Sequence, residues 1–405
     1  MKIIVPHYIL TPNTLLEGYS IAYDTQIIAI DTFEKLNDLY PEAKVQTLPQ
    51  YSLIMPGLIN SHVHLEFSAN KSTLEYGQFM PWLNSVIKSR EELIEGSEAS
   101  IEKAIDAMLL SGTTTFGAIS SHAFDLNAAS NAKQNVIFFN ELIGSQAVMA
   151  DALFQDFTER LDASKTVAQT RDGFIPAVAI HSPYSVHPIL IKRAIELVGF
   201  DNLPLTSHFM ESQAERDWLD NNGGDFQPFF KEFLKQERAV TTASEFLDLF
   251  NDTPTLFTHG TKLNNDEITQ ISKYNHALIH CPISNRLLGN GKLDIQTLKE
   301  NNIDVLCATD GLSSNYTLNL FEEMRTALFM HHDNNLLEVA HQLIQSVTTL
   351  PAKALNLNKG EIKTGADSDM IVLQLDEEAN DQLILHLILH HYPVTNIIIR
   401  GETII

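Results

Sequence analysis

The middle of the chain switches between apolar runs and helical stretches eight times, and that rhythm leaves few folds open to it. The runs cover residues 53–62, 113–119, 135–139, 174–180, 203–206, 255–258, 277–279 and 303–307. Helical segments separate them, among them residues 188–198, 264–274 and a long stretch over 78–111 with a break at Glu95-Gly96. Most runs are apolar throughout rather than alternating, as expected of strands buried on both faces of a parallel sheet. Eight β–α units predict an α/β fold of the TIM type, a (β/α)8 barrel. A doubly wound open sheet is the alternative, but no G-x-G-x-x-G follows the first run.

Both chain ends read differently. Short β-rich pieces at residues 3–5, 20–23, 26–30, 369–373 and 396–399 alternate with turn residues such as Pro12-Asn13 and Arg400-Gly401-Glu402. Chain termini often lie close together. The expected organisation is therefore a small β-sandwich domain built from residues 1–54 and 355–405, carrying a catalytic barrel over 55–354.

Composition excludes several functions. The chain has 51 acidic against 27 basic residues, a formal charge of −24, which disfavours binding to nucleic-acid phosphates or anionic membranes. No apolar stretch approaches the roughly 18 residues that span a bilayer, and no basic-then-apolar leader is visible at Met1–His7. Only Cys281 and Cys307 are present, in apolar runs, so buried free thiols in a reducing cytoplasm are expected.

In a (β/α)8 barrel the chemistry sits where strands end. The first run ends in His62-Val63-His64, whose alternate side chains share one face of a strand and present two imidazoles together. His208 follows the fifth run, with Glu211 three residues on, His259 the sixth, and Asp310 the eighth. The fourth ends in His181-Ser182-Pro183-Tyr184, and the seventh in His280-Cys281-Pro282-Ile283-Ser284-Asn285-Arg286. Any one of these histidines alone reads as an ordinary buried, hydrogen-bonded residue. Their recurrence at the same end of successive strands is hard to get by chance. His122 and His187 also lie near strand ends.

These residues carry a family resemblance. P-G-x-I-N-x-H-x-H at 56–64, H-S-P-Y at 181–184, H-x-x-E at 208–211, T-H-G at 258–260, C-P-x-S-N-x-x-L-G-N-G at 281–291 and T-D-G-x-x-S-N at 309–315 occur in this order. The chain resembles the amidohydrolase superfamily, in its branch of mononuclear adenosine-, guanine- and cytosine-type deaminases and chlorohydrolases. Residues 360–369 resemble the family's return into its small sheet domain.

The resemblance implies one divalent metal, zinc or alternatively iron, held by His62, His64, His208 and Asp310. No lysine ends the fourth run, where two-metal relatives carry one, so a single ion is expected. A metal lowers the pKa of bound water towards neutrality. Asp310 is then expected to take the water's proton, His259 to hold the attacking oxygen, and Glu211 to protonate a ring nitrogen of the substrate. An acid of that kind favours deamination of an aromatic heterocycle over amide or halide hydrolysis. His181 and Trp82 resemble the family's purine- and nucleoside-contacting residues, and Ser284 and Asn285 are further candidates for polar contacts.

Overall likeness, including Glu141-Leu-Ile-Gly-Ser145, narrows the expectation to the deaminases of the alternative menaquinone pathway. Their adenine-type nucleoside bears a benzoate, for which Ser145 and Arg286 are the candidate partners, with helix N-termini the alternative. Methylthioadenosine, S-adenosylhomocysteine, adenosine and guanine deaminases are the alternatives, then a chlorohydrolase or amidase, then a non-catalytic binding protein. A small-molecule substrate is the expected partner, and a homo-oligomer is compatible with the resemblance.

Overall fold

The computed structural model describes residues 1–12, 14–69, 73–94 and 97–405. Asn13 of the expected first turn and the expected helix break at Glu95-Gly96 lie outside them.

Eight parallel strands form the centre: β1 (Leu58–Val63), β2 (Thr113–Ser120), β3 (Asn135–Leu142), β4 (Phe174–Ile180), β5 (Leu205–Phe209), β6 (Leu256–His259), β7 (Ala277–His280) and β8 (Val305–Cys307). Each is hydrogen-bonded to its neighbour in sequence order, the order of a singly wound barrel and not of a doubly wound sheet. Between β8 and β1 no ladder forms. Side chains and one main-chain bond close that seam: Asn60 Nδ2 donates to Thr309 Oγ1 (2.7 Å), Thr309 N to Asn60 Oδ1 (3.2 Å), and Asp310 N to His62 O (3.1 Å). The interior is filled by Ile59, Ile119, Ile137, Phe139, Ala177, Ala179, Ile279 and Leu306, all buried and packed as one cluster with Ala352 and Leu355. The barrel is therefore a packed core with its cavity confined to one end.

The chain ends form two further sheets. One has the order Ile27–Thr32, Tyr19–Tyr23, Lys2–Val5, Lys44–Thr47; the other runs Glu402–Thr403, Val394–Ile399, Met370–Gln374, Ser52–Pro56, Tyr8–Leu10, Leu15–Glu17. Strand alternation divides the duties of the second sheet. Ile54, Met370, Val372 and Ile398 pack with Ile4, Ile21 and Tyr23 of the first sheet, while Leu53, Met55, Ile371 and Leu373 join the barrel's outer core.

The opening run of the sequence is not one strand. Ser52–Pro56 belongs to the terminal sheet and Leu58–Val63 to the barrel, divided at Gly57. A Cβ at Gly57 would stand 2.1 Å from Thr114 Oγ1, so the close approach of β2 requires glycine there. Apolarity alone could not reveal this division, because both halves are buried. The 78–111 stretch divides into Phe79–Lys88, Arg90–Ile94 and Ser97–Leu110, with an additional interruption at Ser89. Cys281 and Cys307 are buried and unpaired. Among the described residues no helix is long and apolar enough to cross a membrane.

Candidate active site

A cavity of about 740 Å³ opens at the C-terminal end of the barrel, lined by His64, His181, His208, Glu211, His259 and Asp310 among others. His62 and His208 sit on β1 and β5, His259 ends β6, and His64, His181 and Asp310 lie just beyond their strands. The backbone bends sharply here. His259 (φ 77°), Asp310 (φ 58°) and Met210 (φ 54°) all occupy the left-handed region, which costs energy for residues other than glycine and is concentrated at functional sites.

His62, His64 and His208 bring their ligand nitrogens within 4.8 Å of one another. His64 Nε2 and His208 Nε2 are 3.3 Å apart, and Asp310 Oδ1 lies 3.8 Å from His62 Nε2 and 3.7 Å from His64 Nε2. Tetrahedral bonds of 2.0–2.1 Å imply ligand–ligand edges of about 3.3–3.4 Å. The spacing is thus close to that of ligands around one small cation, slightly expanded on the carboxylate side.

Two further observations fit a cation. His62 Nε2 is buried with no hydrogen-bond partner, an expensive state unless something binds it. His208 Nδ1 is 2.8 Å from the main-chain oxygen of His181, which places its proton on Nδ1 and leaves Nε2 free to ligate. Burial, and then neighbouring imidazoles, hold His62 and His208 well below the ordinary histidine pKa, in the neutral form that ligation needs. For Asp310, burial raises the pKa, but His64, His259, His62 and the Ser284 hydrogen bond outweigh it and leave it at about 2. Its Oδ2 accepts from Ser284 Oγ (2.7 Å) and Ser314 Oγ (2.9 Å), and its Oδ1 from Gly311 N (2.8 Å).

Glu211 reaches the cavity by an unexpected route. A helical turn after His208 would bring it round, but the helix starts only at Gln213, capped by Ser212. The left-handed Met210 turns the chain instead, placing Glu211 before the cap. The helix-start carboxylate is Glu215, whose oxygens accept from Met210 N (3.0 Å) and Glu211 N (2.8 Å). Freed from that duty, Glu211 Oε1 accepts from Asn290 Nδ2 (3.2 Å) and lies 3.7 Å from His259 Nε2. Burial raises the Glu211 pKa well above the usual carboxylate range, with Asp310 and Glu215 adding to it.

The other expected residues divide. Trp82 lines the cavity and donates from Nε1 to Ser313 O (2.8 Å); Ser145 lines it and donates to Gln236 Oε1 (3.1 Å). His181 lines it, its Nδ1 engaged by Ser182 Oγ (2.8 Å) and Ser185 Oγ (2.7 Å). Ser284 and Asn285 are fully buried and point elsewhere, Ser284 to Asp310 and Asn285 to His259 Nδ1 (3.0 Å). Arg286 is exposed on the helix Pro282–Leu287 and does not line the cavity, because it faces outward in a helix whose inward side is taken by those two residues. His122 lines the cavity, its Nε2 accepting from Arg90 Nη2, whereas His187 caps the helix Pro188–Asp201.

Sequence reasoning overlooked Arg90 and Arg160, the guanidinium groups that line the cavity, and Asn290, which holds Glu211. Asn290 lies within a recognised motif. The two arginines come from helices without any local signature.

The amidohydrolase family model matches residues 53–404, the barrel and the return strands together. The chain is 47% identical to an aminodeoxyfutalosine deaminase of a Nitratiruptor species over 405 residues, 99% of each chain. It is 35% identical over 402 residues to an adenosine deaminase of Helicobacter pylori, covering 96% of both. The crystal structure of Helicobacter pylori aminofutalosine deaminase in complex with methylthio-coformycin superposes with a TM-score of 0.94 at 34% identity, covering both chains fully. With strand-end histidines, barrel and return sheet all accounted for by one family model, this chain belongs to the amidohydrolase family.

Proposed function

We propose that this protein is a metal-dependent hydrolytic deaminase of an adenine-type nucleoside, aminodeoxyfutalosine, releasing ammonia. The observation that carries the reaction type is Glu211: a buried carboxyl, held by Asn290, beside His259 and the three-histidine cluster in one cavity. Burial raises its pKa well above the usual carboxylate range, which favours the protonated form a general acid needs. The 47% identity to a protein of that name over the full chain supports the substrate.

His62, His64, His208 and Asp310 would hold one ion, zinc by the preference of a three-imidazole, one-carboxylate set, with iron the alternative. Bound there, a divalent metal supplies Lewis acidity and lowers the pKa of water. Glu211 delivers its proton to a ring nitrogen of the purine, making the adjacent amino-bearing carbon electrophilic. Asp310, ionised and anchored by Ser284 and Ser314, accepts the proton of the attacking water. It gives that proton to the amino group, whose bond to the ring carbon breaks as ammonia leaves, while the remaining hydroxyl proton returns to Glu211. His259, whose Nε2 lies 3.7 Å from Glu211 Oε1, holds the attacking water. His181 and Trp82 contact the nucleoside from the walls. Ser145, with Arg90 in the same cavity lining, receives the carboxylate of the benzoate, whereas Arg160 is held by Asp156 and by the main-chain oxygens of Ser120 and Glu141, and Arg286 faces away.

Side-by-side ammonia release from aminodeoxyfutalosine, adenosine, methylthioadenosine, S-adenosylhomocysteine and guanine tests the reading. The highest kcat/KM is expected on the first. Guanine as the best substrate, or release from none of the five, would overturn it.

A further inference from the structure

Behind His259 a line of buried side chains runs away from the cavity. His259 Nδ1 is 3.0 Å from Asn285 Oδ1, Asn285 Nδ2 is 3.4 Å from His280 Nδ1, and His280 Nε2 is 3.2 Å from His331 Nε2. His259, Asn285, His280 and His331 are each buried, and they come from β6, the helix after β7, β7 itself and the end of the helix Leu320–Met330.

A neutral imidazole has one N–H and one lone pair, and a carboxamide has one accepting and one donating end. With the Asn285 amide oxygen turned to His259, those rules fix each choice along the line. Asn285 Oδ1 can only accept, so His259 carries its proton on Nδ1 and its Nε2 is bare. Asn285 Nδ2 can only donate, so His280 Nδ1 is bare and its Nε2 carries the proton. His280 then donates to His331 Nε2. The orientation of one amide thereby sets the tautomer of three histidines. Turning that amide over would satisfy the same contacts with every tautomer reversed, and would put a proton on His259 Nε2. The bare nitrogen is the one 3.7 Å from Glu211 Oε1, on the cavity side. Burial lowers the pKa of His280 and His331, which favours the neutral ring in both.

We propose that His331, His280 and Asn285 form a tautomer-setting relay that presents His259 Nε2 to the cavity as a hydrogen-bond acceptor. Within the proposed deaminase, on which this role rests, His259 then receives a hydrogen bond from the attacking water instead of donating one. His280 and His331 are positioning residues, outside the cavity lining. The relay's polarity matters because a wrong tautomer can disable a correctly placed histidine.

The test uses the zinc-loaded, full-length enzyme with 15N-labelled histidine. Long-range 1H–15N spectra, with His259 assigned by its loss in His259→Asn, should show Nδ1 protonated and Nε2 bare. A protonated Nε2 overturns the proposal. In turnover, His280→Phe should lower kcat at least about tenfold with KM within about twofold and metal content unchanged. Asn285→Asp offers only acceptor oxygens and so should hold His259 Nδ1–H without help from His280. Adding His280→Phe to that background should therefore cost less than about a further twofold. Multiplying effects of the two substitutions would mean that His280 is only packing, and would overturn the relay. Should Asn285→Asp fail to fold, His331→Phe serves instead: it should yield two His259 tautomers in the spectrum, and a single one would overturn the relay. The spectra need no turnover, so a wild-type enzyme inactive on every nucleoside would sink the function while leaving the tautomer result readable.

Discussion

Glu211 shows how much one position can depend on its neighbours. Its spacing from His208 marks it out in the sequence, yet Glu215, four residues later, is also buried and also raised, to about 7. Main-chain donors separate the two: Glu215 is tied to Met210 N and Glu211 N, while Glu211 faces the cavity. Glu211→Gln should lower kcat about 10²–10⁴-fold, the range for loss of a general acid. Metal content measured alongside should stay near one equivalent, and retention of full activity would remove Glu211 from the mechanism. Ser145→Ala and Arg90→Gln should each raise KM more for the carboxylate-bearing nucleoside than for adenosine, read by steady-state kinetics on both. A histidine's presence at a strand end is legible locally. What Ser284 and Asn285 do is not, since each turns inward towards a residue on another strand.

At the level of elements, the strands were legible because burial on both faces writes continuous apolar runs, and the loops were not. β6 and β7 are joined at their N-terminal ends through His276, which accepts from Thr255 N (3.2 Å) and is held at a pKa of about 4 by burial. A folded pKa below the unfolded value of about 6.5 means that the unfolded chain binds the extra proton. This histidine's favourable contribution is therefore complete above about pH 6.5 and is lost as pH falls from there towards 4. Between pH 7.5 and 5, urea unfolding should show the wild type losing about 2 kcal/mol more than His276→Gln. Equal losses would show that the ring is already protonated in the folded state. Gly117 on β2 is a second sensitive point: a Cβ there would meet Ser61 O on β1 at 2.6 Å. Gly117→Ala should cost about 1–3 kcal/mol, visible as a lower Tm.

For the whole molecule, the decisive connection is that the chain's two ends share a sheet next to the first barrel strand. Met370–Gln374 pairs antiparallel with Ser52–Pro56, and Gly57 N donates to Asp369 O (3.0 Å) immediately before β1. A chain cut before Met370 should therefore fail to fold as a whole, giving insoluble or protease-sensitive protein instead of an intact barrel. Metal should act on the same scale. Chelation should lower Tm by roughly 5–10 °C, recovered on adding zinc, because a ligand that binds only the folded state stabilises it by mass action. An unchanged Tm would speak against a tightly held ion.

Read alone, the sequence determined the repeating β–α architecture and the strand-end histidines, because both obey short-range rules: the period of a buried strand and the place where a barrel strand stops. Spacing also marked Glu211. Only the tertiary structure decided that Gly57 divides the opening run, that Arg286 faces solvent while Arg90 and Arg160 line the cavity, and that Asn285 turns to His259. Each of these depends on groups far apart in the chain meeting across a packed interface. No local periodicity encodes such a meeting; close packing of the whole barrel does.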